Sequence, residues 1–208
     1  MLGLSSQVYA AHLARAGIRS VVVPRGYHPS YGVPVDGERD IALVWMGKTR
    51  TRRRRRTIMA IQRDLANLGH RMEIFDGVTR PFIYGAERSR LLNRTRFMLN
   101  LPTYPHDELS IRLVLAAANG AVTISDVANA SPPFEPETHY LSLPIDAIPR
   151  VIDHYVRHEA ERRAIADRTY AFINSRLTLE ASIRSLLETA PAALSMVGLV
   201  AAAWPLVG

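Results

Sequence analysis

The segment Ser110-Ile-Arg-Leu-Val-Leu-Ala-Ala-Ala-Asn-Gly-Ala-Val-Thr-Ile-Ser-Asp126 constrains the fold more than any other part of the chain. Leu109, Leu113, Ala116 and Ala117 recur at helical spacing, Gly120 supplies a helix stop, and residues 121–124 form a short apolar run that ends in Ser125 and Asp126. Helix, glycine and buried strand in immediate succession are half of an α/β unit, and in open α/β sheets ligands collect just beyond the carboxyl ends of the strands.

The same alternation extends upstream. Asp40 opens the apolar run 41–46, Gly47 ends it, and a polar loop leads to a helix expected over residues 51–67. Leu68-Gly69-His70 closes that helix, and strand 71–75 ends at Asp76-Gly77. A short helix over 87–94, a strand over 97–101, a helix over 108–119 and the strand 121–124 complete the series, an order that predicts a parallel sheet flanked by helices. Beyond Pro144 only helices are expected, over residues 145–157, 159–174 and 179–187. At the other end, residues 1–16 read as one amphipathic helix, 18–23 as a β-branched run closed by Pro24, and the following Gly- and Pro-rich stretch as a connector.

Composition narrows the function classes. With 48% hydrophobic and 22% charged residues among 208, the chain can bury a sizeable core. It has no cysteine, which removes disulfides, thiolate metal sites and thiol nucleophiles. The net charge of +7 comes from 26 basic residues of which only Lys48 is lysine, so the basicity is a general arginine bias. Positions 48–56 nonetheless concentrate seven positive charges, which reads as a solvated helix start, a phosphate-binding lobe or a nucleic-acid contact. No aromatic RNA-recognition motif or zinc-finger spacing accompanies the run, which sets nucleic acid behind the other two.

The N-terminus lacks the basic-then-apolar layout of a signal peptide, and a cytoplasmic location is the expectation. After Glu188 no charged residue occurs through Gly208. This apolar tail reads as a helix for a partner surface, a tail without a defined role, or a membrane contact interrupted by Pro191 and Pro205.

Gly47-Lys-Thr-Arg50 has the character of a phosphate-binding turn, because a glycine admits an anion to backbone N–H groups while neighbouring cations neutralise it; a glycine that simply ends a strand is the alternative. His106-Asp107-Glu108 is either an acid/base or ligand-contact cluster or a set of acidic helix-start residues. Arg112, in the first turns of its helix, can grip a diphosphate as a bidentate fork or pair with Glu108. His70, His106, His139 and His154 are scattered, none paired with another at i, i+4 beside a glutamate, so no metal is expected. There is no Gly-x-Ser-x-Gly elbow to anchor a hydrolase triad.

In order and spacing these motifs resemble the C-terminal half of two-domain (GT-B) glycosyltransferases, nearest the CgeB-type, glycosyltransferase group 1-like domain, over residues 8–187. The carrying stretches are Val22-Val-Pro-Arg-Gly-Tyr-His-Pro29, similar to the family's Leu-Pro-x-Gly-x-Asp-Pro linker; Asp40-Ile-Ala-Leu-Val-Trp-Met-Gly47, similar to Asp-Val-x-Phe-Val-Gly; and Arg112-Leu-Val-Leu-Ala-Ala-Ala-Asn-Gly-Ala121, similar to Arg-x-Phe-Glu-Ala-x-Ala-x-Gly. Phe134-Glu-Pro-Glu-Thr-His-Tyr140 is similar to Phe-x-Pro-Gly-x-Glu-Tyr.

The resemblance implies an α/β fold with a Rossmann-like parallel sheet, the C-terminal half of GT-B, ending in helices. Residues 1–36 would be the end of a preceding domain and its linker, 37–188 the donor-binding domain and 189–208 an apolar tail. It implies binding of a nucleotide-sugar or nucleoside diphosphate as co-substrate, no separate cofactor and no metal, and transfer of the glycosyl group once a separate acceptor-binding domain or chain completes the cleft. Donor-binding residues would be Gly47, Arg50, His106, Arg112, Gly120 and Asp126. One departure bears on activity: the family's ribose-binding glutamate is Leu115 here, which cannot accept a hydrogen bond. A catalytically inactive partner that keeps the fold is therefore the alternative, and a basic nucleic-acid binder the third.

Overall fold

The structure, a computed structural model, describes residues 2–4, 7–49, 51–102, 110–126 and 132–189. Its elements in chain order are β1 (Leu2–Leu4), α1 (Gln7–Arg15), β2 (Ser20–Val22), β3 (Ile41–Met46), α2 (Arg52–Asn67), β4 (Met72–Phe75), α3 (Gly85–Asn93), β5 (Thr95–Asn100), α4 (Ser110–Ala117), β6 (Val122–Ser125), β7 (Leu141–Ser142), α5 (Ile148–Arg157), α6 (Glu159–Ser175) and α7 (Leu179–Thr189). Single 3-10 turns lie at Pro29–Tyr31 and Ile145–Ala147.

Five parallel strands in the order β4-β3-β5-β6-β7 form the main sheet. From β3 the chain passes outward to β4, then returns to place β5 on the other flank of β3, so the direction of winding reverses between β3 and β5. The crevice outside the carboxyl ends of those two strands is where open α/β sheets receive ligands.

The sheet is central because its strands are apolar on both faces: Ile41 to Trp45 of β3 are all buried. Leu43, Trp45, Phe97, Leu99 and Ile124 pack toward α2 and α5, whereas Val44 and Met98 join Phe75, Ile83, Leu92 and Ala116 on the α3 and α4 side. α2 begins where the Thr51 hydroxyl accepts the Arg54 amide at 3.2 Å, and it lays Ile58, Ile61 and Leu65 on the sheet at helical spacing. Pro149 stands in the first turn of α5, where its missing N–H is no loss, and marks the change from 3-10 turn to helix inside the expected 145–157 segment.

Two segments differ from expectation. The helix expected over 1–16 is a strand, Leu2–Leu4, followed by α1. Leu2 and Leu4 pair with Ser20 and Val22 in a parallel sheet separate from the main one, and this pairing overrides the helical reading of the first residues. β7 was not anticipated; two residues carry no period, and it exists through pairing of Leu141 with Ile124 and Ser142 with Ser125.

Gly120 adopts φ +69°, the left-handed geometry that ends α4. Lying between α4 and the strand it feeds, it sits at the amino end of β6. Its carbonyl accepts from buried Arg162 at 2.9 Å, and a Cβ would stand 2.5 Å from Arg39 Nη2. Arg39 in turn donates to the carbonyls of Leu92, Thr95 and Asn119 at 3.1, 2.6 and 2.9 Å, tying the segment just before β3 to the amino ends of the strands. Burial and then the charge of Arg162 push the Arg39 pKa down to about 10.

His139 fastens the segment before β7. Its Nδ1 accepts the Glu135 amide at 3.0 Å and its ring packs against Phe134 and Phe172. Burial lowers its pKa, so folding favours the neutral ring. The unfolded chain, with an ordinary value of about 6.5, takes up the proton first on acidification. Stability from His139 is therefore complete above about pH 6.5 and is lost as pH falls through the depressed folded value. Urea midpoints at pH 7.5 and 5.5 check this. His139→Asn, which keeps an acceptor for the Glu135 amide, should show the smaller pH dependence; equal slopes would contradict the assignment.

Candidate functional site

Polar groups gather at the reversal point between β3 and β5. Arg112, from the first turn of α4, donates from Nε to the Met46 carbonyl at 3.4 Å and from Nη1 to Asn100 Oδ1 at 3.3 Å, so one guanidinium spans the carboxyl ends of both strands. It also lies over the Trp45 ring, 5.2 Å from the centroid. Arg54 of α2 stands 5.6 Å from the same ring and donates to the Leu101 carbonyl at 2.9 Å. Trp45 is fully buried, and its indole N–H donates to the Gly47 carbonyl at 2.8 Å, which fixes both the platform and the turn after β3.

Gly47 permits this approach. Its φ is +156°, and a Cβ there would lie 2.7 Å from Arg112 Nη2. The loop after it is anchored by Thr49, whose hydroxyl donates to Asp76 at 2.9 Å. Asp76, at the end of β4, also accepts the amides of Val78 and Thr79 at 2.9 and 2.6 Å. Burial raises its pKa, but those amides and the hydroxyls of Thr49 and Thr79 lower it by more, and the carboxyl stays below its ordinary value.

On the β6 side, buried Asn100 donates to the Ser125 hydroxyl at 3.1 Å, and the Asp126 amide donates to the Asn100 carbonyl at 3.3 Å. Asp126 lines two adjoining hollows: a small one of about 90 Å³ with Thr51, Arg54 and Leu101, and an open one of about 540 Å³ with Arg53, Pro144 and Asp146. The amino ends of α2 and α4 point toward this crevice, since each follows the carboxyl end of its strand in a parallel βα step. Two helix amino ends, two half-buried guanidiniums and a close-approach glycine form a setting for an anion with several oxygens.

Of the expected residues, the structure brings Gly47, Arg112 and Asp126 to this crevice. Arg50, His106 and the Glu108 alternative partner of Arg112 lie outside the described residues. Gly120 is corrected: it stands at the opposite end of the sheet, beside a hollow of about 340 Å³ lined by Arg39, Arg96, Glu159 and Arg162, and its part is to end α4. The basic run also divides. Arg54 turns inward onto Trp45, while Arg52, Arg53, Arg55 and Arg56 are exposed. Arg54 belongs to the basic run for which phosphate binding was one reading, whereas Trp45, Thr49, Asp76 and Asn100 were not expected site residues; only the burial of the 41–46 run hinted at Trp45.

Leu115, one helical turn beyond Arg112, packs with the apolar cluster of Val44, Met98 and Met46. In the segment similar to Phe-x-Pro-Gly-x-Glu-Tyr, Glu137 occupies the glycine position and takes φ +60°, which shows why glycine suits that turn. His139 occupies the place of the glutamate, with its ring against Phe172. Among the described residues no helix is long and apolar enough to cross a membrane.

The fold occurs in solved glycosyltransferases. HepE of Anabaena in complex with UDP and glucose superposes with a TM-score of 0.69 at 12% identity, over 92% of this chain and 63% of that one. TarM of S. aureus, in a complex with fondaparinux, α-GlcNAc-glycerol and UDP, gives 0.70 at 8% identity over 89% of this chain and 43% of its own. The C-terminal domain of the group 1 glycosyl transferase LpcC from Francisella tularensis gives 0.52 at 10% identity, with all of that domain covered by 74% of this chain. The chain thus spans less than two thirds of the length of HepE. No curated protein matches the sequence. The profile of the glycosyl transferase-like family matches residues 51–188, which run from the start of α2 through β5, α4 and β6 to the helical end. The chain belongs to the glycosyl transferase-like family.

Proposed function

We propose that this chain is the donor-binding half of a glycosyltransferase and holds the diphosphate of a nucleotide-sugar across the carboxyl ends of β3 and β5. The observation that carries the proposal is Arg112, stretched between the Met46 carbonyl and Asn100 Oδ1 over the Trp45 ring. A guanidinium fixed there, beside two helix amino ends, presents donors where a leaving diphosphate gathers charge as its bond to the anomeric carbon breaks. Three neighbours support a uridine nucleotide as the probe, since HepE, TarM and the pneumococcal O-GlcNAc transferase GtfA were each solved in complex with UDP.

Transfer requires the acceptor to be held beside the donor, and in this reading a second domain or chain supplies that wall. A cytoplasmic location belongs to the same reading.

Calorimetry tests it. UDP should bind saturably at one site, and UMP about tenfold or more weakly, because the second phosphate is the one that meets the arginines. Absence of saturable UDP binding, or UMP binding as tightly as UDP, would overturn the proposal. Because Leu115 offers no acceptor to the ribose, UDP and 2′-deoxy-UDP should differ by no more than about twofold. A tenfold preference for UDP would mean that another side chain takes the ribose hydroxyls.

A further inference from the structure

We propose a second site, for a zinc-like divalent ion, at the corner where α5 meets α6. The expectation of no metal spacing rested on His70, His106, His139 and His154. His158, four residues after His154 and three before Glu161, supplies the spacing those four lack. His154 is in the last turn of α5, His158 lies between the helices and Glu161 is in the first turn of α6. One ligand atom from each lies within 4.8 Å of the other two, and all three side chains are exposed.

The hydrogen bonding around the corner prepares these groups. His158 Nδ1 is 2.8 Å from the His154 carbonyl, which can only accept, so Nδ1 carries the proton and Nε2 keeps its lone pair. A metal-binding histidine is commonly oriented by such a bond from its other nitrogen. The two imidazole rings stack at 4.2 Å between centroids, and His154 Nε2 donates to the Glu161 carboxylate at 3.2 Å, a proton that the ion would displace on taking both groups as ligands. Two arginines adjacent in sequence to these ligands are engaged elsewhere: Arg157 with Asp153, and Arg162 with Glu159 and the Gly120 carbonyl.

Two imidazole nitrogens and one carboxylate oxygen suit Zn²⁺ and not Mg²⁺, and three protein ligands leave a fourth position for water. Because His154 belongs to α5 and Glu161 to α6, the ion would staple the corner between them. The site lies on the helical end, apart from the proposed donor crevice, so it stands or falls independently of that proposal.

The test is calorimetric titration of the full chain with ZnCl₂ and with MgCl₂, with thermal melts alongside. Zn²⁺ should saturate one site in the micromolar range and raise Tm by about 5 °C at a hundredfold excess over Kd, while Mg²⁺ gives no binding. His154→Ala combined with His158→Ala should weaken Zn²⁺ binding by about tenfold or more and abolish the Tm shift. Glu161→Gln, which keeps a hydrogen-bond acceptor beside His154, should weaken it in the same direction without unfolding the corner. Zn²⁺ affinity unchanged in the double variant, or no saturable Zn²⁺ binding by the parent chain, overturns the proposal.

Discussion

Replacing Arg112 with methionine is expected to lower UDP affinity by about 10- to 150-fold, the loss of a charge-assisted hydrogen bond of about 1.5–3 kcal/mol. Methionine retains an unbranched apolar stem against Trp45, so the loss should fall on binding and leave the urea midpoint nearly unchanged. Arg112→Lys keeps the charge but not the planar fork that reaches Met46 and Asn100 together, and it should recover only part of the affinity. Gly47→Ala should act on the same group from the other side, because its Cβ would stand 2.7 Å from Arg112 Nη2. Calorimetry with UDP measures all three. An Arg112→Met protein that binds UDP like the parent would remove Arg112 from the site.

Gly26→Ala is expected to be strongly destabilising for a single added methyl group. A Cβ at this position would lie 2.2 Å from the Thr178 carbonyl oxygen and 2.4 Å from the Leu179 nitrogen, both backbone atoms that cannot rotate away. The contact is close because the linker is stitched to the start of α7: the Tyr27 amide donates to the Leu177 carbonyl and the Leu179 amide to the Tyr27 carbonyl, each at 2.7 Å. Relief of the clash would break that pair of bonds and expose Tyr27, which is buried against Tyr170. The cost belongs at the upper end for overpacking, about 3 kcal/mol, and a urea unfolding curve reads it as a lower midpoint with unchanged slope. A variant as stable as the parent would show that the linker and α7 are not joined here. UDP affinity of the folded fraction should be unaltered, since neither residue reaches the donor crevice.

The sequence revealed local features well and neighbourhoods poorly. β3, α2 and β4 could be read because a continuous apolar run, a threonine cap and a glycine stop are each encoded within a few residues. The position of Arg112 at the crevice was legible because its place at the start of a helix after a strand fixes which end of the sheet it faces. Asn100 and Trp45 were not, since their importance comes from β5 lying beside β3, a pairing that no local pattern states. Gly120 shows the converse. Its left-handed geometry was evident from its position after an alanine-rich helix, yet a residue between a helix and the next parallel strand lies at the end of the sheet away from the crevice. The opening strand and β7 escaped for a related reason, as three and two residues acquire strand character only through their partners.

The central claim, an anion site at the carboxyl ends of β3 and β5, is most directly tested by titrating ¹⁵N-labelled chain with UDP and following amide and indole signals. Trp45 and Trp204 are the only tryptophans, so the indole N–H of Trp45 is readily assigned. UDP should shift that signal together with the Gly47 amide and the Asn100 side-chain amide, and leave Gly120 and the Arg39 region unmoved. Shifts confined to Gly120, Arg39 and Arg162, at the opposite end of the sheet, would contradict the account.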